Sequence, residues 1–535
     1  MERLTINNIW GGEAASQYFA AENQYMPSVG IDPDFPISDS AGDTLPSGAI
    51  RPVAYAAFSS TLTNSTPYWI LTNPKDTKIY SYLLGGRLVS HSNTFGTETN
   101  VGTPTSGAGN GMAYYNNYIY LFTPTNVSRY GPLDGAPTLT NTVWTGSTLG
   151  SQTALVNTTY PSAFGTGTLP NHVAHVHTDN KLYFCDFDST SSTDSTRGKG
   201  MIHFIKTTYG AAEGDTNDGS TYNALDLPAG YMPTCIESFG DILAIGAIQT
   251  TNGVVQQGKA VLFFWNPDGT QESFDTPIPL PDPLVTAIVN NNGTLYLFSG
   301  AFNNGYRLLR YEGGQTVTTL YYSNHGSPPL PGAVSSVGDR IVWGTHGQIS
   351  STTPGTPEYY GIVKAYGSKD PNFFGGVHTI INSPAAGTST DGVVTAVAQL
   401  QQASFAKQRF VVGYRDASAT AIANMGTTYG THVWRSRVFN IGQKFQIKRL
   451  KLNFGAAVAA NMTITPTIFL DDFSSSTTTG LTVINSTNYA NSERTVTMYP
   501  TAVGTNNFVL ELRSTGTALL PVTVPITIDF EFTAD

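Results

Sequence analysis

Between residues 51 and 427 the chain repeats one pattern of apolar and polar positions. Each repeat opens with a short run of small or β-branched residues, followed by a polar turn and a run of strong β-formers. Short apolar runs bounded by turn residues are typical of β-strands. The openings are Val53–Ala56, Gly111–Tyr114, His172–His175, Pro233–Ile236, Leu284–Ile288, Ala333–Val337 and Val393–Val397.

A second apolar run follows each of the later openings, after a short turn. The second runs are Tyr118–Phe122, Lys181–Phe184, Ile242–Ile245, Leu295–Phe298, Ile341–Trp343 and Phe410–Val412. The turns are Asn116-Asn117, Asp179-Asn180, Gly240-Asp241, Asn292-Gly293 and Gly338-Asp339. Because Asn, Asp and Gly tolerate positive φ angles, these turns between two runs predict β-hairpins.

Seven openings, about 50 to 60 residues apart, predict seven units of three or four strands each. One such sheet cannot bury both of its faces, whereas units packed face to face around an axis can. The sequence therefore predicts a β-propeller of about seven blades over residues 51–427. Six or eight blades, or two unrelated β-sandwiches, are the alternatives that the pattern leaves open.

From residue 428 to the end, apolar and polar residues alternate along several segments. A period of two over segments separated by Thr, Ser, Asn and Gly predicts an antiparallel β-sandwich or jelly roll over residues 428–535. The segments are Val433-Trp434, Phe445–Leu452, Met462–Phe469, Arg494–Met498, Asn507–Leu512 and Val524–Phe532.

Residues 1–50 show no sustained period of either 2 or 3.6. They are rich in Gly and Pro, yet they also carry Tyr18, Phe19, Tyr25, Met26 and Phe35. A free tail would leave these apolar side chains exposed. We therefore expect an extended N-terminal arm that lies on a neighbouring surface, with a disordered leader as the alternative.

Composition supports an all-β protein. Hydrophobic residues make up 40% of the 535 residues and charged residues only 12%, against roughly 25% in an average soluble domain. The chain contains 54 Gly and 31 Pro, and Thr, Ser, Asn and Gly take the place of charged surface residues. Such residues favour strands and turns over helices.

Charge and cysteine content limit the partners and the compartment. The net charge of −10 argues against nucleic acid or an anionic membrane as the main partner, since both require a basic face. Cys185 and Cys235 are too few for a disulfide framework. The N-terminus has no signal-peptide pattern, and no stretch approaches 18 apolar residues, so we expect a protein made in the cytoplasm without membrane insertion.

Three histidines form the sharpest candidate for a chemical site. His172, His175 and His177 lie in one predicted strand, where His175 and His177 share a face and His172 points to the other. A zinc site needs a third converging ligand, for which Asp179 or His203 is available. Ordinary histidines that bind no metal are the alternative that the spacing favours.

Acidic residues give weaker candidates. Asp215–Gly219 resembles the start of a calcium loop but lacks the final bidentate Glu, so a solvent loop is favoured. Asp471-Asp472 fits either a metal pair or a turn at a strand end. The other carboxylates are scattered singly, which does not suggest the pair that glycoside hydrolysis requires: Glu237, Asp241, Asp282, Glu312 and Asp339.

Catalytic motifs are missing from the sequence. It contains no Gly-x-Ser-x-Gly elbow, phosphate-binding loop or dinucleotide fingerprint. Asn266–Thr270 is only faintly similar to the repeated turn of propeller sialidases, and it stands alone. We therefore expect a protein without enzymatic activity, with no catalytic, cofactor-binding or metal-binding residue and no cofactor.

Three short motifs near the N-terminus carry a resemblance to a known family. They are Gly11-Gly12-x-x-x-Ser16-Gln17, Gln24-Tyr25-Met26-Pro27-Ser28 and Ser47-Gly48-Ala49-Ile50-Arg51-Pro52, within about the first 55 residues. In these motifs the chain resembles the nozzle (tail tubular protein B) family of short-tailed bacteriophages. The resemblance implies a tail protein of the virion that forms a symmetric ring, hexameric in that family, through which DNA passes.

The expected function follows from this resemblance. The protein would be a structural part of a phage tail, a nozzle or hub that forms part of the DNA exit channel and a platform for other tail proteins. Its partners would be copies of itself and adaptor, portal or fibre proteins, with DNA only in transit. The alternatives are a tail tip or fibre-attachment protein that binds host-surface glycans and an enzyme that cleaves them.

Overall fold

A computed structural model describes most of the chain. The described residues are 1–9, 11–14, 21–26, 28, 30–31, 56–61, 66–73, 76, 78–92, 98–104, 109, 111–123, 126–144, 174–188, 198–206, 221–251, 254–255, 259–267, 276–301, 304–324, 326–345, 348–349, 359–360, 362–367, 376–382, 393–400, 410–415, 420–425, 432–455, 458, 462–488, 494–516 and 522–533.

Within these residues the protein is all-β, which confirms the fold class predicted from composition and patterning. A single 3-10 turn, Pro331–Ala333, is the only helical element that they contain. The strands, in chain order, are β1 (Glu2–Ile6), β2 (Ala56–Thr61), β3 (Pro67–Thr72), β4 (Lys78–Leu83), β5 (Leu88–Ser92), β6 (Thr99–Gly102), β7 (Gly111–Tyr115), β8 (Tyr118–Phe122), β9 (Val127–Gly131), β10 (Thr138–Trp144), β11 (Ala174–Val176), β12 (Lys181–Asp188), β13 (Lys199–Lys206), β14 (Thr221–Asp226), β15 (Tyr231–Phe239), β16 (Ile242–Thr251), β17 (Val254–Val255), β18 (Val261–Trp265), β19 (Ile278–Pro279), β20 (Leu284–Asn291), β21 (Thr294–Gly300), β22 (Tyr306–Gly313), β23 (Thr316–Ser323), β24 (Val334–Val337), β25 (Arg340–Gly344), β26 (Gln348–Ile349), β27 (Tyr359–Tyr360), β28 (Ile362–Tyr366), β29 (Val377–Asn382), β30 (Val393–Gln399), β31 (Phe410–Arg415), β32 (Thr420–Met425), β33 (His432–Arg435), β34 (Phe439–Asn440), β35 (Phe445–Phe454), β36 (Met462–Leu470), β37 (Ser475–Thr477), β38 (Ile484–Asn485), β39 (Thr495–Met498), β40 (Val503–Gly504), β41 (Asn507–Gly516) and β42 (Val522–Phe532).

The chain divides into two compact units. The sandwich unit comprises Met1–Ala57, Gln348–Ala386 and Met425–Asp535. The repeat unit comprises Phe58–Gly347 and Gly387–Asn424.

The repeat unit consists of small antiparallel sheets that follow one another along the chain. Their strand orders are β3-β4-β5-β6, β7-β8-β9-β10, β11-β12-β13-β14, β15-β16-β18-β19 with β17 beside β16, and β20-β21-β22-β23. The hairpin β24–β25 comes next, and β30, β31 and β32 end the series with β2 beside β32. The strands joined by the predicted hairpin turns pair with each other, whereas β2 pairs with β32 from a distant part of the sequence.

Contacts between these sheets form a closed cycle. The first strand of each group contacts the first strand of the next, in the order β3, β7, β11, β15, β20, β24, β30 and back to β3. Threonine hydroxyls add hydrogen bonds across this cycle. Thr234 on β15 donates to the carbonyl of Val285 on β20, and Thr395 on β30 donates to the carbonyl of Pro67 on β3.

The predicted hairpin turns are present. Asn117, Asn180, Gly240, Asn292 and Gly338 all have φ angles between 53° and 71°, the left-handed region that Asn and Gly adopt most readily. The sequence signal was strong here because the turn type depends on only two residues.

One predicted opening has a different role in the structure. Val53–Tyr55 lie outside the described residues, and Ala56 begins β2, which pairs beside β32 at the end of the last sheet. The first sheet instead opens at Pro67 with β3. The sequence pattern missed this because local composition does not specify which strand a segment pairs with.

The sandwich unit contains two antiparallel sheets around one core, which confirms the sandwich-like fold. One sheet has the order β1-β42-β35-β39, with β40 beside β35. The other has the order β33-β41-β36-β37, with β34 beside β41 and β38 beside β36. Side chains alternate strictly between buried and half-buried along β36, and the core between the sheets includes Trp434, Phe445, Ile464, Leu510 and Ile526.

The beginning of the arm departs from the prediction of an irregular segment. Glu2–Ile6 forms β1, which pairs antiparallel with β42 from Glu2 opposite Phe530 to Ile6 opposite Ile526. The five residues are too short for a sustained period, and only Ile6 among them is buried. The strand forms because β42 presents a free edge to it.

The rest of the described arm packs within its own unit. Tyr25 is fully buried in the sandwich core and forms bridges to Glu13 and to Ser436. Gly12 has a φ of +74°, and a Cβ there would lie 2.6 Å from the carbonyl oxygen of Val377 on β29. The surface that covers these arm residues is therefore supplied by the chain itself, whereas Tyr18, Phe19 and Phe35 lie outside the described residues.

Candidate functional site

The first strands of the third and fourth sheets bring two of the predicted histidines together. His175 on β11 and His177 just after it share one face, and both rings contact the hydroxyl of Ser238 on β15. His175 Nε2 lies 2.8 Å from Ser238 Oγ, and His177 Nδ1 lies 2.7 Å from it. The side chain of Glu237 is adjacent, with Oε1 3.3 Å from His175 Nε2. We call His175, His177, Glu237 and Ser238 the histidine cluster.

The partners of the rings fix the direction of the hydrogen bonds. His177 Nε2 lies 3.3 Å from the carbonyl oxygen of Asp241, which can only accept. Nε2 therefore carries the proton, and Nδ1 accepts from the Ser238 hydroxyl. With its own proton donated to His177, Ser238 Oγ accepts from His175 Nε2–H. The result is a chain of hydrogen bonds from His175 through Ser238 and His177 to the Asp241 carbonyl.

Burial shifts the pKa values of two groups of the cluster, Glu237 and His175, towards their uncharged forms. It raises the pKa of the Glu237 carboxyl to about 8, against the smaller opposing effect of hydrogen bonds from the backbone of Ser238 and Asn290. Burial, together with the neighbouring His177, lowers the pKa of His175 to about 4. Both shifts arise because a charge loses its hydration in the interior.

The histidine cluster contains the hydroxyl and the base of a nucleophilic site, but the Ser238 backbone N–H, a possible donor to an oxyanion, is occupied. A serine hydroxyl that donates to an imidazole at 2.7 Å, with the ring oriented by a carbonyl, is the arrangement of a nucleophile and its base. The Ser238 backbone N–H, however, donates to Glu237 Oε1 at 3.0 Å, so it is already engaged and does not stabilise an oxyanion. The arrangement supports proton sharing between neutral groups.

The cluster also joins three first strands. Ser238 lies on β15 and contacts both histidines from the β11 side, while the side-chain amide of Asn290 on β20 donates to the Ser238 carbonyl at 2.8 Å. A polar network that is fully hydrogen-bonded rigidifies the elements it connects. The histidines thus link consecutive sheets of the repeat unit.

The proposed third metal ligands are engaged elsewhere. Asp179 forms an ion pair with Lys181 at 2.8 Å and accepts from the Tyr183 hydroxyl. His203 is fully buried and lies 3.0 Å from Asp186 Oδ2. His172 lies outside the described residues, and within the part of the chain that the structure describes no three His, Cys, Asp or Glu side chains form a group that could hold a metal ion.

The acidic candidates have other roles. Asp471 and Asp472 form a turn with positive φ angles after β36, in which Asp471 accepts from the backbone N–H groups of Thr505 and Asn506. Asp282 pairs with Arg307, and Glu312 pairs with Arg310. Asp339 lies in the turn between β24 and β25.

Two sequence candidates fall partly or wholly outside the described residues. Asp215–Gly219 is not described, and of Asn266–Thr270 only Asn266 and Pro267 are. The sequence reasoning missed Ser238, because a single serine in a strand carries no signal until the facing strand is known. The alternation of His175 and His177 was a usable signal for their shared face.

Comparison with known proteins gives no family. No family model matches the sequence, and no curated protein matches it. Among solved structures, the chain is similar to the computationally designed Ika8 protein, with 12% identity, a TM-score of 0.36, and coverage of 69% of this chain and 99% of that one.

A second similarity is to the extracellular domain of a hybrid two-component system from B. thetaiotaomicron. It has 10% identity and a TM-score of 0.39, and it covers 77% of this chain but only 45% of that one. Within the described residues, the strands themselves define the class as an all-β protein of small antiparallel sheets with a sandwich. The resemblance to tail nozzle proteins stays a prediction.

Proposed function

We propose that the repeat unit is a seven-bladed β-propeller and that the protein is a structural component of a bacteriophage tail. The observation that carries the architecture is the closed cycle of contacts among seven first strands, from β3 to β30 and back. Pairing of β2 beside β32 gives the last sheet an outer strand from the beginning of the chain. This is how a ring of sheets joins its ends without a long exposed edge.

The residues behind the family resemblance support the tail assignment. Gly11 and Gly12 lie against the backbone where β29 begins, and Tyr25 and Ser28 fix the arm to the end of β33 and the residue after it. Ser28 Oγ accepts from the Arg435 backbone N–H at 3.1 Å. These motif residues therefore hold the arm in place, a structural task that proteins of one assembly family would share. Ser16, Gln17 and 47–52 lie outside the described residues.

Charge supports a role around DNA in transit. A chain of net charge −10 offers few cations to phosphate, so a ring of such chains would let duplex DNA pass without holding it. The histidine cluster fits a structural role, since it links the first strands of consecutive proposed blades. None of the helices among the described residues is long and apolar enough to cross a membrane.

The mass of the native assembly tests this function. We expect light scattering or mass photometry of the purified protein, alone and with candidate portal or adaptor proteins, to find a ring of several copies, six if the nozzle resemblance holds. Weak, salt-insensitive contact with duplex DNA is expected in parallel. A persistent monomer that binds no virion protein, or tight and salt-dependent DNA binding, would contradict the proposal.

A further inference from the structure

One side of the sandwich unit carries exposed apolar side chains. Six large apolar side chains are exposed among the described residues, and three of them lie on this side. They are Val483, Tyr499 and Val503, which are 38%, 66% and 46% exposed, and we call them the apolar patch. The other three are Met1, Tyr322 on β23 and Phe532 on β42.

Strand order and one backbone hydrogen bond place these three residues on the same side. Tyr499 follows β39 and Val503 begins β40, and both strands lie beside β35 at the outer end of their sheet. Val483 lies between β37 and β38, which lie beside β36 at the outer end of the other sheet. The Thr501 backbone N–H donates to the Thr479 carbonyl at 3.3 Å and so joins the two outer ends.

The arm of the chain itself covers the opposite side of the sandwich. There the outer strands are β1 and β33, and Arg3 of β1 and Ser436 after β33 line one cavity. Tyr25 of the arm forms a bridge to Ser436 and is fully buried. The arm thus completes one side of the sandwich, whereas the apolar patch on the other side stays exposed.

The two segments that form the apolar patch carry no charge. Residues 473–492 and 495–510 contain no Asp, Glu, Lys or Arg, and Glu493 and Arg494 between them have opposite charges. Because the chain has a net charge of −10, two copies repel each other where their acidic surfaces meet. A charge-free side avoids this repulsion, and it offers no cation to nucleic acid. Its charge therefore favours a second copy of the chain as the partner.

The surroundings of the patch match the anatomy of a protein interface, which has an apolar centre with aromatic residues and a polar rim. Exposed threonines surround the patch: Thr478, Thr479, Thr482, Thr497 and Thr501. The Leu481 backbone N–H donates to the Thr478 carbonyl at 3.0 Å, and the Asn488 side-chain amide donates to the Val483 carbonyl at 2.7 Å. A surface held in place before binding loses little conformational entropy when a partner docks.

We propose that the apolar patch is a contact between two copies of the chain, with the same patch on both. The edge strands on this side, β37 to β40, have only two to four residues each, and such short edges disfavour pairing with a partner strand. The contact is therefore made by side chains, with Tyr499 at its centre.

Symmetry fixes what this contact produces. A contact that uses the same surface on both copies relates them by a twofold axis and gives a dimer, and a larger ring needs a second contact. The inference does not rest on the proposed tail function, because the dimer forms with or without other virion proteins.

Analytical ultracentrifugation of the full chain over a series of protein concentrations tests the contact. We expect the wild type to form a dimer or an assembly with an even number of copies. Tyr499→Asp should raise the dissociation constant of the contact at least about tenfold, because each copy then places a charge at the centre of the interface. Val503→Asp should act in the same direction.

A matched control separates the patch from general effects of a new charge. Tyr322→Asp replaces another exposed tyrosine, on β23 of the repeat unit, and should leave the assembly unchanged. Thermal unfolding checks that all three variants fold.

Several results would overturn the proposal. They are a monomer at every concentration, an assembly that Tyr499→Asp and Val503→Asp leave intact, and equal loss of assembly in Tyr499→Asp and Tyr322→Asp. A wild-type monomer that binds a candidate portal or adaptor protein, and loses that binding in Tyr499→Asp, would reassign the patch to a different protein. The tail function can fail separately, since a dimer that Tyr499→Asp dissociates but that binds no virion protein would support this contact alone.

Discussion

Two partly buried side chains of the histidine cluster have pKa values in the folded chain that differ from their ordinary values. Glu237 is the clearest example, since burial raises its pKa to about 8 from an ordinary value of 4.5. His175 shifts in the opposite direction, from 6.5 to about 4. Each shift makes the stability of the fold depend on pH over a definite window.

The two shifts act with opposite signs. Between pH 4.5 and 8 the folded chain keeps a proton on Glu237 that the unfolded chain loses, so stability falls as pH rises. Between pH 4 and 6.5 the unfolded chain protonates His175 and the folded chain does not, so stability rises with pH. Above pH 6.5, Glu237 is the one of these two groups whose contribution to the free energy of unfolding still changes with pH.

We therefore predict that the free energy of unfolding falls by about 1–2 kcal/mol between pH 6.5 and pH 8. Glu237→Gln has a similar shape without a titratable proton and should make this part of the profile flat. Chemical unfolding at a series of pH values measures the difference. A wild-type profile that is already flat, or a variant that keeps the slope, would show that Glu237 is ionised in the folded protein.

The ion pair of Glu13 and Lys364 gives a second prediction. Lys364 Nζ lies 2.9 Å from Glu13 Oε2, and both side chains are at most 2% exposed. Removal of one partner leaves a buried charge uncompensated, so Lys364→Met should destabilise the protein by about 3–5 kcal/mol. Glu13→Gln together with Lys364→Met should recover much of this loss. Urea unfolding measures the stability of these variants. As a control, Arg310→Gln at an exposed ion pair should change the free energy of unfolding by less than about 1 kcal/mol.

Strands of the repeat unit carry the same local sequence with different hydrogen bonds. Val285-Thr286-Ala287 on β20 and Val394-Thr395-Ala396 on β30 occupy equivalent places in their sheets. Both threonines are buried, but the Thr395 hydroxyl donates to the Pro67 carbonyl, whereas the Thr286 hydroxyl has no partner among the residues that the structure describes. Comparison of Thr286 with Thr395 therefore isolates the contribution of the Thr395 hydrogen bond to the contact between β30 and β3.

We predict that Thr395→Val lowers the free energy of unfolding by about 1–2 kcal/mol, because it leaves the Pro67 carbonyl unpaired. Thr286→Val is the matched control and should be neutral or stabilising, since it replaces an unpaired buried hydroxyl by a methyl group. Urea unfolding of both variants measures the difference. Equal effects of the two substitutions would mean that the Thr395 bond does not contribute to closure.

The close approach of the arm to β29 gives the next prediction. Gly12 and Gly240 both have positive φ angles, +74° and +62°, but only at Gly12 would a Cβ meet backbone atoms. Gly240→Ala should cost about 1–2 kcal/mol for the left-handed conformation alone. Gly12→Ala should cost more and should expose residues 1–31 to protease. Thermal unfolding and limited proteolysis of the two variants measure both effects. Equal destabilisation in the two variants would contradict the close approach at Gly12.

Strand existence was predictable from sequence to a large extent, and strand pairing was not. The runs at Gly111–Tyr114 and Leu284–Ile288 became β7 and β20 because apolar periodicity and Asn or Gly turns act locally. β1 and β2 were missed or misplaced because each pairs with a segment hundreds of residues away. For the site, the shared face of His175 and His177 followed from alternation, but Ser238 and Glu237 join them only through the packing of β15 against β11.

The molecule as a whole combines a closed cycle of sheets with a sandwich whose core includes part of its own N-terminal arm. The low share of charged residues and the polar links between first strands are consistent with the proposed structural role. Because the chain itself covers Tyr25 and Ile31, the described arm no longer argues for a second subunit. The proposed assembly would therefore depend on other surfaces.

An experimental density map of the purified assembly tests this architecture most directly. We expect seven small antiparallel sheets arranged radially around one axis, with β2 beside β32 and the Thr395 link between β30 and β3. A different number of sheets, two separate sandwiches in place of the cycle, or a deep cleft with converging ionisable groups would contradict the account.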